Sequence, residues 1–181
     1  MNLPNKLTML RFALIPFFVV TYLLLEPSSP IPALLFIIAS VTDFLDGYIA
    51  RRDHLVTTFG KFMDPLADKV LTLSAFILLV GKGQLASWIV VIIVARELMI
   101  TGFRTVAASN GVTIAASKWG KYKTTFQMLT IIVLLLAHSW LSFMQDTHIT
   151  EILVILTLGF TILSGVDYLV KNRKVLDLNN I

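Results

Sequence analysis

Six apolar runs, each close to the length of a membrane-spanning helix, dominate this sequence. They cover approximately Leu7–Leu25, Pro32–Ala50, Phe62–Val80, Leu85–Arg104, Thr124–Trp140 and Ile149–Val170. About 20 helical residues cross about 30 Å of hydrocarbon, and backbone polar groups in lipid have to pair within their own segment, which commits such runs to helix. We therefore predict an all-α, polytopic membrane protein with six transmembrane helices, forming one integral-membrane domain over residues 1–181.

Basic residues are distributed unevenly between the two sides of these predicted spans. With a cytoplasmic N-terminus, the cytoplasmic side holds Lys6, Arg11, Arg51, Arg52, Lys61, Arg104, Lys118, Lys121, Lys123, Lys171, Arg173 and Lys174. The opposite side holds only Lys82. Because cytoplasmic loops carry the excess of Lys and Arg, both termini are predicted in the cytoplasm. The positive charge then faces anionic lipid, and no stretch resembles a nucleic-acid-binding module.

Four aspartates lie in or beside two of the apolar runs. Asp43 and Asp46 are three residues apart near the end of the second run, and Asp64 and Asp68 are four apart near the start of the third. Both spacings place a pair on one helix face. Pro65 suits a first helical turn, which predicts that the third helix starts shortly before Asp64. The short loop between the runs predicts antiparallel neighbours whose acidic faces meet.

Four carboxylates this close in a low dielectric need either protonation or neutralising cations. The chain has no cysteine and three histidines, so a metal site would use oxygen ligands, which favour Mg²⁺ or Mn²⁺. Two divalent ions would balance four carboxylates, and paired metals form a clamp for displacement at phosphorus. We therefore predict a site for two divalent cations.

The residues between the aspartates indicate a phosphate-bearing ligand. Gly47 and Gly60 leave room for a bulky group close to the backbone. Arg51 offers a planar fork that matches phosphate oxygens, and Thr57 adds a hydroxyl in the loop. Together with the aspartates they form the pattern Asp-x2-Asp-Gly-x2-Ala-Arg-x8-Gly-x3-Asp-x3-Asp, which begins at Asp43.

This pattern resembles, at every position, the signature of the CDP-alcohol phosphotransferases. These membrane enzymes join an alcohol to a CDP-activated lipid and release CMP. The resemblance implies that Asp43, Asp46 and Asp64 are metal ligands that hold the pyrophosphate of the CDP-lipid. It implies that Asp68 is the general base for the attacking hydroxyl and also able to contact a metal. Six further residues resemble contacts to the CDP-lipid: Asn5, Thr8, Gly47, Arg51, Thr57 and Gly60.

Two later segments, RELMITGFR and KWGKYKTT, are similar to the bacterial phosphatidylglycerophosphate synthases, whose acceptor is sn-glycerol 3-phosphate. Arg104, Lys121 and Lys123 are expected to gather at the cytoplasmic rim, where a cationic pocket would hold the acceptor's phosphate. Alternatively, these lysines only enforce topology and bind anionic headgroups. Arg96 lies deeper, and pairing with a carboxylate is as plausible for it as contact with a ligand.

The resemblance also implies substrates, location and partners. The expected reaction transfers a phosphatidyl group from CDP-diacylglycerol to glycerol 3-phosphate in the bacterial inner (cytoplasmic) membrane. The active site is expected to face the cytoplasm, surrounded by membrane lipids, in a homodimer. Three alternatives stay open: a sister enzyme that uses inositol phosphate, phosphatidylglycerol or serine; a cation-coupled transporter, in which intramembrane carboxylates relay ions; and a structural membrane protein, which leaves the acidic cluster unexplained.

Overall fold

Six α-helices make up the described part of the chain, which contains no strand. The computed structural model describes residues 2–53, 55, 57–109, 111–112, 114–115, 117–137, 139–140 and 148–173, with only the backbone of residues 51 and 61. The helices are α1 (Leu3–Leu24), α2 (Ile31–Arg52), α3 (Thr58–Gly81), α4 (Ser87–Ser109), α5 (Lys118–Ala137) and α6 (Ile149–Lys171). The prediction of an all-α chain with six helices in this order is confirmed.

In the part of the chain that the structure describes, three helices combine the length and the apolar composition that crossing a membrane requires. These segments are Leu3–Leu24, Ile31–Ala50 and Ile149–Lys171. Most of their residues are not buried by the protein, and large apolar side chains such as Phe17 and Ile155 point outward. A helix that is apolar on its outer face as well as its inner face fits a lipid environment. The chain is therefore a membrane protein.

The remaining helices, α3, α4 and α5, are of similar length but less uniformly apolar. Each of them includes three or more charged residues, which α3 and α5 carry in their first halves. Charges inside a span lower its mean hydropathy and are kept where they serve a function. The six-span topology and the cytoplasmic placement of both termini stay predictions.

The third helix begins earlier than its sequence predicts. Thr57 caps its N-terminus, because the Thr57 side chain accepts a hydrogen bond from the Gly60 amide at 3.0 Å. Such a cap satisfies an amide that has no partner within the helix. Pro65 consequently lies inside α3 and not in its first turn, so the predicted start just before Asp64 is wrong. Asp64 and Asp68 are held within regular helix.

The contacts divide the chain into two compact units, the first of which comprises residues 1–84 and 131–147. In this unit α1 packs most extensively against α2 and also against α3. The rings of Phe18 and Phe36 lie 5.7 Å apart in its core. Ala39, Ala67 and Ala75 are fully buried, and such small side chains allow helices to approach closely.

The second unit comprises residues 85–130 and 148–181. Its helices α4 and α6 pack together, with the Phe103 and Tyr168 rings edge to face at 5.6 Å. The hydroxyls of Thr130 and Thr157 share a hydrogen bond of 2.7 Å between α5 and α6. Hydrogen bonds of this kind join helices where both partners are withdrawn from water. The single domain over residues 1–181 stays a prediction.

Candidate active site

A cavity in the first unit collects all four aspartates of the motif. Its volume is about 350 Å³, and the described residues that line it are Asp43, Phe44, Asp46, Gly47, Asp64, Pro65 and Asp68. One aspartate pair comes from successive turns of α2 and the other from successive turns of α3. Residues three or four apart on a helix are neighbours on its surface. The helical spacing therefore brings four carboxylates and one of the predicted glycines to a single cavity.

A buried arginine from α1 reaches two of these carboxylates. Arg11 is fully buried, with its Nη1 2.7 Å from the Asp43 Oδ1. Its Nη2 donates a hydrogen bond to the Asp46 Oδ2 at 2.5 Å. Asp46 is itself only 2% exposed, and a buried carboxylate without a partner would be strongly destabilising. Arg11 thus compensates the charge of Asp46 and of its neighbour one turn earlier.

Arg11 belongs to this site but is not among the site residues predicted from the sequence. Its placement on the cytoplasmic side stays a prediction, and counting charges does not indicate that its side chain is fully buried. The signal was available in the sequence, since Arg11 lies within the predicted apolar run Leu7–Leu25 and directly precedes the uncharged stretch Phe12–Leu25. An ionisable residue inside such a helix usually has a partner and a function.

Polar side chains form hydrogen bonds between the N-terminal part of α1 and the N-terminal part of α3. The Thr8 hydroxyl lies 2.6 Å from the Asp64 Oδ1 and 3.1 Å from the Pro4 carbonyl oxygen. Since a hydroxyl has one hydrogen, the shorter contact to the charged acceptor is the stronger one. Thr57 donates a hydrogen bond to the Asn5 Oδ1 at 2.9 Å. Asn5 and Thr57, two predicted contacts to the CDP-lipid from separate segments of the chain, are therefore adjacent.

The residues predicted to bind the acceptor lie in the second unit and differ in exposure. Arg104 and Lys121 are exposed. Lys123 is buried, and its ammonium pairs with Glu97. The same Glu97 carboxylate lies 3.1 Å from the Arg96 Nη1, so Arg96 has the carboxylate partner that its depth requires. Arg104 and Lys121 are open to an anion from solution, whereas Lys123 is buried and pairs with a carboxylate of the protein.

A further predicted contact to the CDP-lipid is Arg51. The side chain of Arg51 lies outside the described residues, although its backbone ends α2. Its role as a phosphate ligand stays a prediction. Gly47 lines the cavity beside Asp46, so its missing side chain widens the approach to that carboxylate.

The four carboxylates fit a hard divalent cation by donor type and by their shared cavity. Mg²⁺ and Mn²⁺ prefer oxygen ligands, and carboxylates are their usual protein ligands. The ligand geometry is not preformed, since among the described residues no three acidic or histidine side chains already surround one point at ligand distance. In this arrangement Arg11 and Thr8 contact three of the four carboxylates.

Comparison with known proteins places the chain in a family. The family described as CDP-alcohol phosphatidyltransferase matches residues 1–163. A Bacillus subtilis protein named CDP-diacylglycerol--glycerol-3-phosphate 3-phosphatidyltransferase is 41% identical over 99% of both chains. A Haemophilus influenzae protein of the same name is 43% identical over 93% of this chain and 91% of its own. A Rickettsia bellii protein, again so named, is 38% identical over 92% and 93%. The chain belongs to the CDP-alcohol phosphatidyltransferase family.

Proposed function

We propose that this enzyme transfers the phosphatidyl group of CDP-diacylglycerol to sn-glycerol 3-phosphate, giving phosphatidylglycerophosphate and CMP. The observation that carries the proposal is the cavity, where four carboxylates on two helices meet beside the exposed ring of Phe44. A polar cavity with an apolar rim suits a ligand with a charged headgroup and lipid tails. The names of the relatives from three bacterial genera support the same donor and acceptor.

In this proposal Asp43, Asp46 and Asp64 hold two divalent cations, Mg²⁺ or Mn²⁺, with Asp68 able to contact one of them. When bound, the cations would offset the negative charge of the pyrophosphate and of the departing CMP. The support for these roles is that all four carboxylates line one cavity and supply only oxygen ligands. Three of them, Asp43, Asp46 and Asp64, also have partners on α1, and such partners orient metal ligands.

Asp68 acts in the proposal as the general base. Its carboxylate takes the proton from the free hydroxyl of the acceptor, and the hydroxyl oxygen attacks the β-phosphorus of CDP-diacylglycerol. The bond from that phosphorus to the bridging oxygen breaks in line, and CMP leaves with the bridging oxygen. Asp68 suits this role because it lines the cavity one turn beyond Asp64. A general base needs to come within hydrogen-bond reach of the proton that it removes.

The proposal also states in which membrane the enzyme lies and which side its cavity faces. The diacyl tails stay in lipid while the headgroup enters the cavity from the side, in the cytoplasmic membrane of a bacterium, with both termini and the cavity facing the cytoplasm. The excess of Lys and Arg on one side of the predicted spans supports this orientation. We also propose a homodimer, on the family resemblance. Labelling of single cysteines introduced into this cysteine-free chain at Lys6 and Lys82 tests the topology, and equal access to both from one side would contradict it.

Arg104 and Lys121 are proposed to hold the phosphate of the acceptor. Both are exposed and cationic, and hydrogen bonds to charged groups are worth about 1.5–3 kcal/mol. We expect Arg104→Gln and Lys121→Gln each to raise the KM for glycerol 3-phosphate by about tenfold, with little change for CDP-diacylglycerol. Lys118→Gln, which removes an exposed lysine at the start of the same helix as Lys121, is the control. An unchanged KM in both variants would exclude them from the acceptor site.

We expect CDP-diacylglycerol binding to depend on the absence of a side chain at Gly60, because polar groups lie close to this position. A Cβ at this position would lie 3.3 Å from the Thr57 Oγ1, 3.4 Å from the Asp64 Oδ2 and 3.5 Å from the Asn5 Oδ1. Gly60→Ala should displace these groups and weaken CDP-diacylglycerol binding by about fivefold, which corresponds to roughly 1 kcal/mol. Gly159→Ala is the matched control, since among the described residues nothing beyond the neighbouring backbone of its own helix lies within 4 Å of the added methyl group. Equal affinity in both variants would refute the crowding argument.

The acceptor is identified by following CMP release from CDP-diacylglycerol with purified protein in detergent–lipid micelles containing Mg²⁺ or Mn²⁺. Glycerol 3-phosphate, inositol phosphate, serine and phosphatidylglycerol are compared as acceptors. The proposal predicts release with glycerol 3-phosphate alone. Release with another acceptor would keep the catalytic cavity but overturn the roles of Arg104 and Lys121. Cation flux in liposomes without CMP release would favour the transporter.

A further inference from the structure

Two buried residues of α1 contact the aspartates from outside the cavity. Thr8 and Arg11 are 1% and 0% exposed, and neither is among the described residues that line the cavity. They are three positions apart, so they lie on one face of the helix. Between them they contact three of the four aspartates: Asp43, Asp46 and Asp64.

Each of these contacts engages one oxygen of a carboxylate. Arg11 contacts the Asp43 Oδ1 and the Asp46 Oδ2, and Thr8 contacts the Asp64 Oδ1. The contacts to Asp46 and Asp64 are hydrogen bonds, which limit rotation of these carboxylates, whereas the contact to Asp43 is an ion pair. Partners of this kind around a metal site orient the ligands and are worth about 10- to 100-fold in metal affinity.

The chemistry of Arg11 suits the bridging of two carboxylates. Its guanidinium is planar and permanently charged, and its separate nitrogens can contact two acceptors in a fixed geometry. A lysine carries the same charge as a point without that fork. The two nitrogens of Arg11 contact aspartates one turn apart on α2, so the guanidinium holds Asp46 by a hydrogen bond and draws Asp43 towards the same group by charge.

We propose that Thr8 and Arg11 are positioning residues, through which α1 orients Asp43, Asp46 and Asp64 for divalent cations. This inference rests on the proposed function, since it assumes that these aspartates bind metal. It differs from a purely electrostatic role for Arg11, because removing a positive charge beside a cation site would by itself tighten cation binding. It also assigns Thr8 to the carboxylate Asp64 and not to the nucleotide.

The test is the affinity of the full-length protein for Mn²⁺ in micelles without substrate, with free Mn²⁺ measured by electron paramagnetic resonance. Arg11→Gln, Arg11→Lys and Thr8→Val should each weaken binding by about 10- to 100-fold. Thr21→Val is the matched control on the same helix, because the Thr21 hydroxyl donates to the Phe17 and Phe18 carbonyls; its affinity should equal that of the wild type. Melting curves without metal identify any variant that does not fold.

The outcomes separate this inference from the proposed metal site. If the wild type shows no saturable Mn²⁺ binding, the metal site and the inference fail together. If the wild type binds Mn²⁺ and folded Arg11→Gln binds it as tightly or more tightly, Arg11 is not a positioning residue. Should Arg11→Gln fail to fold, Arg11→Lys and Thr8→Val decide: wild-type affinity in both overturns the inference, and weakened binding in both supports it.

Discussion

Replacing Asp68 by asparagine should lower turnover by about 10²- to 10⁴-fold, the usual contribution of a general base, while CDP-diacylglycerol binding stays close to that of the wild type. Asparagine keeps the size of the side chain but cannot take the proton from the acceptor hydroxyl. The helix should tolerate the change, since the contact of Thr72 is to the Asp68 backbone carbonyl at 2.9 Å. The rate of CMP release and the thermal shift on adding CDP-diacylglycerol measure the two effects.

Asp53→Asn provides the control for this substitution. Asp53 lies just beyond α2 and pairs with Arg52 at 2.7 Å, and it is not among the described residues that line the cavity. Its variant should retain wild-type turnover. Substantial activity in Asp68→Asn would remove Asp68 as the base, whereas loss of donor binding together with turnover would make it primarily a metal ligand.

Asp43→Asn should instead abolish metal binding and donor binding together. The substitution removes a proposed metal ligand and also one of the two carboxylates that Arg11 contacts. The expected loss of Mn²⁺ affinity therefore exceeds the about 100-fold upper range for residues that only orient a ligand. Mn²⁺ titration and CDP-diacylglycerol binding, measured on the same preparation, report both losses.

The comparison of the two variants is more informative than either alone. Asp68→Asn is expected to separate turnover from binding, and Asp43→Asn is expected to lose both. Normal Mn²⁺ and donor binding in folded Asp43→Asn would show that Asp43 is a structural partner of Arg11 and not a ligand. The cavity would then need a different assignment of its carboxylates.

Local patterns in the sequence predict much of this fold and of the cavity. The apolar runs predict six helices because hydrophobic length is a local property. The spacings from Asp43 to Asp46 and from Asp64 to Asp68 place each pair on a helix face by helical geometry alone. Pro65 alone predicts too late a start for α3, whereas the capping hydroxyl of Thr57, which is also a local signal, marks the observed start.

Contacts between distant segments could not be predicted in the same way. Arg11 meets Asp46 across 35 residues of sequence, and Thr8 meets Asp64 across 56. Charge counting assigns Arg11 to a side of the membrane but contains no information about burial. Lys123 is similar, since its pairing with Glu97 depends on how α5 packs beside α4. These pairings follow from helix packing, which the one-dimensional pattern does not specify.

Following labelled glycerol 3-phosphate into lipid tests the proposed transfer reaction. Purified protein in micelles is given CDP-diacylglycerol and labelled glycerol 3-phosphate, with Mg²⁺ or Mn²⁺ in one sample and a chelator in the other. We expect one labelled phosphatidylglycerophosphate to form for each CMP released, and only when the divalent cation is present. Labelled lipid formed equally well with the chelator would contradict the metal site, and CMP released without labelled lipid would contradict the acceptor.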